Sequence, residues 1–142
     1  MTEGGEQETA TPAMRLGYEL NVALVGHEIA SIARRMDAAA VRNDVRPLRE
    51  FKEQLDDAIE GVGHLVTPGA WLAAKGAAAP DDGDPAPSLD SLAREMFALA
   101  NRWHDATQEK AFDAFAVLGH DLNTLAKRVD RADRSVWGDP AE

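Results

Sequence analysis

Two histidines in this chain of 142 residues are each followed by an acid, His27 by Glu28 and His120 by Asp121. A neutral imidazole nitrogen can attack phosphorus while an adjacent carboxylate takes up a proton, so either pair could act as a phospho-acceptor. Apolar residues recur at helical spacing around both, and each histidine falls at the f position, furthest from the packed stripe. Asp113, Lys127 and Arg134 share that row with His120, and Leu20 and Arg34 share it with His27. The arrangement predicts two exposed imidazoles, which is what phosphotransfer needs and equally what a plain solvated face provides.

The strings His27-Glu28-Ile29 and His120-Asp121-Leu122-Asn123 resemble the phospho-acceptor box of sensor histidine kinases. They lack its Arg or Asn followed by Pro-Leu, and the chain has no Gly-rich ATP-binding segment. Metal chemistry has less to build on. A helical ligand set needs acids and histidines three or four apart on one inward face. Glu60 and His64 have the spacing, but Glu60 lies on the charged side of its helix, and His27, His104 and His120 each follow an alanine four residues back. Ser31, Ser88, Ser91 and Ser135 have no Gly-x-Ser-x-Gly context. The expectation is a protein that is not an enzyme, with no catalytic residues, no metal and no cofactor; the alternative is a phosphotransfer or signalling bundle using His27 or His120.

Composition narrows the partners. There are 15 Lys plus Arg against 25 Asp plus Glu, a formal charge of −10, and no basic run, which argues against nucleic acid and anionic membrane surfaces. No stretch approaches the ~18 consecutive apolar residues of a membrane span. Residues 1–13 contain no apolar core of a Sec-type signal, so the expected location is cytoplasmic, with secretion by a non-classical route left open. Zero cysteines exclude disulfides and thiolate ligands.

The elements follow from the apolar spacing. Residues 1–13 read as a disordered acidic tail. Tyr18, Val22, Val25, Ile29, Ile32, Met36 and Ala39 alternate spacings of 4 and 3, predicting a helix over about 14–43. Leu48, Phe51, Leu55, Ala58, Val62 and Leu65 predict a second over about 46–66, ended by Pro68, with one more turn around Trp71. Residues 76–88 are rich in Ala, Pro, Asp and Gly and read as a linker. Ser88 is a good N-cap for a stripe of Leu89, Leu92, Met96, Leu99 and Trp103, which resumes as Ala111, Phe115, Leu118, Leu122, Leu125, Val129 and Ala132. The interval of eight between Trp103 and Ala111 implies either a phase slip in one long helix or a turn near His104–Gln108, where Asp105 and Gln108 could form a capping box. Compactness favours the turn, because 48 unbroken residues would span ~72 Å. The expected helices are then about 89–104 and 107–136, with 137–142 a tail. The predicted fold is all-α, an antiparallel bundle of three to four helices in a single domain over 14–136.

A repeat links the first and last helices. Residues 22–39 align without gaps onto 115–132 at an offset of 93, with seven identities that include the pair Gly-His. The ladder Val22, Val25, Ile29 and Ile32 maps onto Phe115, Leu118, Leu122 and Leu125. Gly26 and Gly119 flank it, where a missing side chain allows a second backbone to approach. This seam, with Trp103, Phe112 and Phe115, is the candidate interface or packing surface. On this reading Gly119→Leu weakens packing while His120→Ala is silent.

From Leu89 onward, over about the last 50 residues, the chain resembles the WXG family of small helical proteins associated with type VII secretion. The residues that carry the resemblance are Trp103-His104-Asp105, then Ala111-Phe112-Asp113-Ala114-Phe115, then Leu122, Leu125 and Val129. Asp105 stands where the family has the glycine of its turn, and no tyrosine follows Tyr18 to form the usual export motif. The resemblance implies helices that pair along their length. The expected function is therefore helix-mediated pairing, coiled-coil-like, with a protein partner or with itself as a dimer or hetero-oligomer. Acidity does not oppose this, because −8 of the −10 lies in residues 1–13, 76–88 and 137–142, leaving the helical body nearly neutral.

Overall fold

The computed structural model describes residues 12–76, 87–111 and 113–137. Five helices occupy them: α1 (Pro12–Val41), α2 (Leu48–Gly63), α3 (Pro68–Lys75), α4 (Leu89–Glu109) and α5 (Ala114–Trp137). Among the described residues there is no strand, and the fold is an all-α antiparallel bundle. Pro12, Ala13 and Trp137, expected in the tails, belong to helices; the rest of both tails and residues 77–86 of the expected linker lie outside the described residues.

The helix ends follow from local chemistry. Asn43, in the left-handed region at φ 53°, ends α1, with Asp44 N–H donating to Ala39 O at 2.8 Å and Asn43 N–H to Ala40 O at 3.0 Å. That is a Schellman motif, which satisfies carbonyls the helix leaves unpaired. Asp44 then accepts from the backbone N–H and guanidinium of Arg46, which holds its carboxyl down at about 2. Thr67 caps α3 by accepting from Ala70 N–H at 3.1 Å, and Pro68 follows at the first helical position. Ser88 caps α4 in the same way through Ser91 N–H at 3.1 Å.

The turn before α5 is not at His104–Gln108. Those residues lie inside α4, which continues through a buried Ala106 to Glu109, so Asp105 and Gln108 form no capping box. Lys110 ends the helix at φ 55°, with Ala111 N–H donating to Ala106 O at 2.9 Å and Lys110 N–H to Thr107 O at 3.3 Å. This is the same motif that ends α1, built here on a lysine. The apolar stripe changes phase across this left-handed residue, which accounts for the interval of eight. α2 lies within the expected 46–66 and stops at Gly63, and the turn expected around Trp71 is a separate two-turn helix.

α1 packs on α2 and α4, and α5 packs on the same two from the opposite corner. Contacts along each seam set the directions. Gly61, at the end of α2, faces Val25 in the first half of α1. Trp103, late in α4, donates its indole N–H to Val22 O at 3.0 Å. Arg49 at the start of α2 meets Asp133 near the end of α5 at 3.3 Å, and Arg102 of α4 meets Asp121 of α5 at 2.8 Å. Each adjacent pair is thus antiparallel, and the diagonal partners α1 and α5 run parallel, as do α2 and α4. The two segments that align at offset 93 thus lie on the diagonal pair α1 and α5, and the other diagonal pair, α2 and α4, carries stripes of the same spacing, Leu48-Phe51-Leu55-Ala58-Val62 and Leu89-Leu92-Met96-Leu99-Trp103.

Every stripe position from Val22 to Ala39 and from Phe115 to Ala132 is buried in one continuous core. Phe115, Ile29, Ile32, Met36, Leu122 and Leu125 are among its largest fully buried side chains. Burial at roughly 25 cal/mol per Å² of apolar surface is the main stabilising contribution. Asp133 is also buried, and its carboxylate accepts from two nitrogens of Arg49. A buried charge persists only when paired.

Candidate interaction surface

Gly26 and Gly119 do not bring two backbones together. Each opens a seat for an indole. A Cβ built on Gly26 would stand 2.7 Å from Trp103 Cδ1 and 2.8 Å from Nε1. A Cβ on Gly119 would stand 2.6 Å from Trp71 Cζ3 and 2.8 Å from Val62 Cγ1. The seat at Gly26 is filled from α4 by a single tryptophan, and that at Gly119 by Val62 of α2 with Trp71 of α3. Trp103 also lies against Phe115, with ring centroids 4.5 Å apart.

His120 is buried rather than solvated. α3 crosses the outer side of α5, bringing the Trp71 ring to a centroid distance of 4.0 Å and the Trp71 carbonyl to 2.6 Å from His120 Nε2. The imidazole N–H donates to that carbonyl, so His120 ties α3 to the bundle. Buried in this way, it is not an accessible phospho-acceptor. Periodicity places it correctly on the outer row of its helix, but α3 covers that row. His27 is exposed, and with His104 it borders a cavity of about 340 Å³ between α1 and α4, walled by Gly26 and Trp103. Glu28 beside it has its carboxyl pushed above the usual range, first by burial and then by the Asp57 carboxylate, with Arg35 opposing. Glu60 and His64 are both exposed, and among the described residues no group of three or more His, Asp or Glu is placed to hold a metal.

The expected seam is interior. Val22, Val25, Ile29, Ile32, Trp103, Phe115, Leu118, Leu122 and Leu125 are buried within the single chain, as is Gly119, and Gly26 is half-buried. Phe112 lies outside the described residues. The Trp103 and Phe115 surface is therefore consumed by the bundle itself and is not presented to a partner.

Exposed apolar residues lie elsewhere. Leu20, Leu24 and Val41 of α1 are 55%, 64% and 79% exposed. With His27, Ser31, Arg34 and Ala38 they occur at spacings of 4, 3, 4, 3, 4 and 3, one stripe opposite the core. The counterparts at offset 93 are Asp113, just before α5, and then Val117, His120, Thr124, Lys127, Arg131 and Arg134 on it. So the two aligned segments share their inner positions and differ in their outer ones: where α5 is polar or covered by α3, α1 is apolar and exposed at both ends. Leu72 and Phe97 are also exposed, singly, and Val136 and Trp137 are exposed side by side at the end of α5.

Among the described residues, the fold is a helical bundle with an exposed apolar stripe on the outer face of α1. Against known protein families, characterised proteins and solved structures the chain matches none. No helix among the described residues is long and apolar enough to cross a membrane.

Proposed function

We propose that this chain is a non-enzymatic helical interaction module that docks a protein partner on the outer face of α1. The observation that supports this reading is the asymmetry within the repeat. Two helices with the same core ladder differ on the solvent side, and only α1 exposes leucines at i and i+4, Leu20 and Leu24. Water-facing positions have no packing reason to be leucine, whereas a partner helix laid along them would remove that apolar surface from water. Pairing through helices is also what the resemblance to WXG proteins implies; type VII export would be the more specific form of the same role.

A photo-crosslinking residue placed at Leu24, and for comparison at Val117, its counterpart on α5, tests the surface in cells that make the protein. The expected result is a discrete adduct from position 24 and none from 117. No adduct from 24, or equal labelling from both, overturns the assignment.

A second reading keeps His27 alone as phospho-acceptor, since it is the exposed member of the two histidine–acid pairs. Incubation with acetyl phosphate discriminates: this reading requires an acid-labile, base-stable phosphate that is lost in His27→Ala, and no label removes it.

A further inference from the structure

Resting on the reading of α1 as the docking face, we propose that the partner is a second copy of this chain, with the two α1 helices antiparallel and crossing at Ser31. The stripe is self-complementary under that two-fold. Leu20 falls opposite Val41 of the second copy and Leu24 opposite Ala38, so the apolar residues at one end meet those at the other. The polar middle places His27 opposite Arg34 and Ser31 opposite its own copy, and polar layers inside an apolar stripe fix register.

Charge supports the same arrangement. With Leu20, His27, Arg34 and Val41 as one row of the seam and Leu24, Ser31 and Ala38 as the other, one flanking row that meets itself across an antiparallel pair is Asn21, Glu28, Arg35 and Arg42, and the other is Ala23, Ala30 and Asp37, where Asp37 meets alanine. The crossing at Ser31 sets Glu28 against Arg35 of the second copy twice, once on each side of the axis. It sets Asn21 against Arg42 twice as well. No pair of like charges falls opposite at these positions. Arg35 is exposed, and its Nε donates to Ser31 O at 3.3 Å. In a parallel pair Glu28 would face Ala23 of the second copy and Arg35 would face Ala30, so neither charge would meet its opposite. The contact strip is one helix wide and spans ~32 Å from Leu20 to Val41, so the pair is expected at the small, reversible end of interfaces.

Charge exchange tests the register, with sedimentation and light scattering across a concentration series as the readout. The parent is expected to pass from monomer to dimer. Glu28→Arg, at a half-buried position, and Arg35→Glu, at an exposed one, are each expected to weaken association about tenfold or more. Mixing the two variants restores it: the introduced arginine meets the introduced glutamate on one side of the axis, and the parent pairing of Glu28 with Arg35 survives on the other. The chain has no cysteine, so Ser31→Cys supplies a second measurement: oxidation is expected to give a disulfide-linked dimer, whereas Thr124→Cys, the counterpart on α5, gives none. A parent that stays monomeric at every concentration while position 24 crosslinks another protein overturns self-pairing and leaves the docking face standing. A dimer insensitive to both charge variants overturns the register, and absence of any adduct at position 24 overturns the docking face itself.

Discussion

Trp103 closes on Gly26 so tightly that the glycine's missing side chain is part of the core: the indole lies where a Cβ would be, and its N–H donates to Val22 O one turn earlier. A glycine inside a helix costs roughly 1 kcal/mol relative to alanine. Its presence here at both copies of the repeat, each beneath an indole, indicates that packing outweighs propensity at these two positions. The relationship separates glycines that the fold requires from one that it merely tolerates.

Alanine substitution distinguishes them. Gly26→Ala and Gly119→Ala each gain helix propensity but force an indole off its seat, and overpacking of this kind costs about 1–3 kcal/mol. Both are expected to lower the midpoint of chemical denaturation. Gly17, also within α1, has nothing within 4 Å of the place a methyl group would take, so Gly17→Ala is expected to raise stability by about 0.5–1 kcal/mol. Equal effects at all three positions would show that the indoles yield freely.

Removing Trp71 tests whether α3 is held from one point. α3 buries no residue completely, and its ties to α5 are the Trp71 ring over Gly119 and His120 and the carbonyl bonded to His120 Nε2. Trp71→Ala is expected to cost about 2–4 kcal/mol. Hydrogen exchange is expected to become fast over residues 68–75 while amides of α1 and α5 stay slow. His120→Ala, which leaves the ring but removes the bond, is expected to cost about 1 kcal/mol and to speed exchange in the same segment. Uniform acceleration across all helices in either variant would mean that α3 is integral to the bundle rather than docked on it.

Much of this bundle is legible in the chain because its core is written as four stripes of alternating 3 and 4. Periodicity identifies which side of a helix is inward, and every inward residue from Val22 to Ala39 and from Phe115 to Ala132 is indeed buried. It does not say what lies outside. His120 occupies the outer row, yet α3 covers it, and that contact joins residues 49 apart with no local signal. The α4–α5 turn is harder to place because a left-handed helix end is normally marked by glycine, and Lys110 bears no such mark; the interval of eight holds the information. The candidate surface is half visible. Leu20 stands out on a row that should be polar, but the large aromatics Trp103 and Phe115 make the stronger patch in the sequence, and only their burial removes it.

Lys110 itself is a place to gain stability. It ends α4 in the left-handed region at φ 55°, where a side chain is disfavoured and glycine is not. Its N–H and that of Ala111 complete the Schellman motif through the backbone, so the lysine side chain is not needed for it. Lys110→Gly is expected to stabilise by about 1 kcal/mol, read as a higher denaturation midpoint with an unchanged slope. Lys110→Val, with a branched Cβ in the same conformation, is expected to destabilise. Should Lys110→Gly prove neutral or worse, the turn is not strained by its side chain.

Glu28 stands where folding and pairing make opposite demands. In the single chain its carboxyl is raised above the usual range by burial and by Asp57 of α2, against a smaller opposing effect of Arg35 on its own helix. An acid raised by folding is disfavoured as the carboxylate, so its penalty is present at neutral pH and disappears as pH falls below the unfolded value. Glu28→Gln is therefore expected to make the dilute, monomeric protein more stable than the parent at pH 7, with the gain vanishing as pH is lowered through the carboxylate range. At concentrations where copies pair, the same variant loses the charge that meets Arg35 of the second copy, and its association is expected to be weaker than the parent's at pH 7. Denaturation at low concentration and sedimentation at high concentration read the two effects separately. A variant that is less stable as a monomer would mean that Glu28 is not strained in the fold; one that pairs as well as the parent would mean that the charge at position 28 faces solvent in the pair.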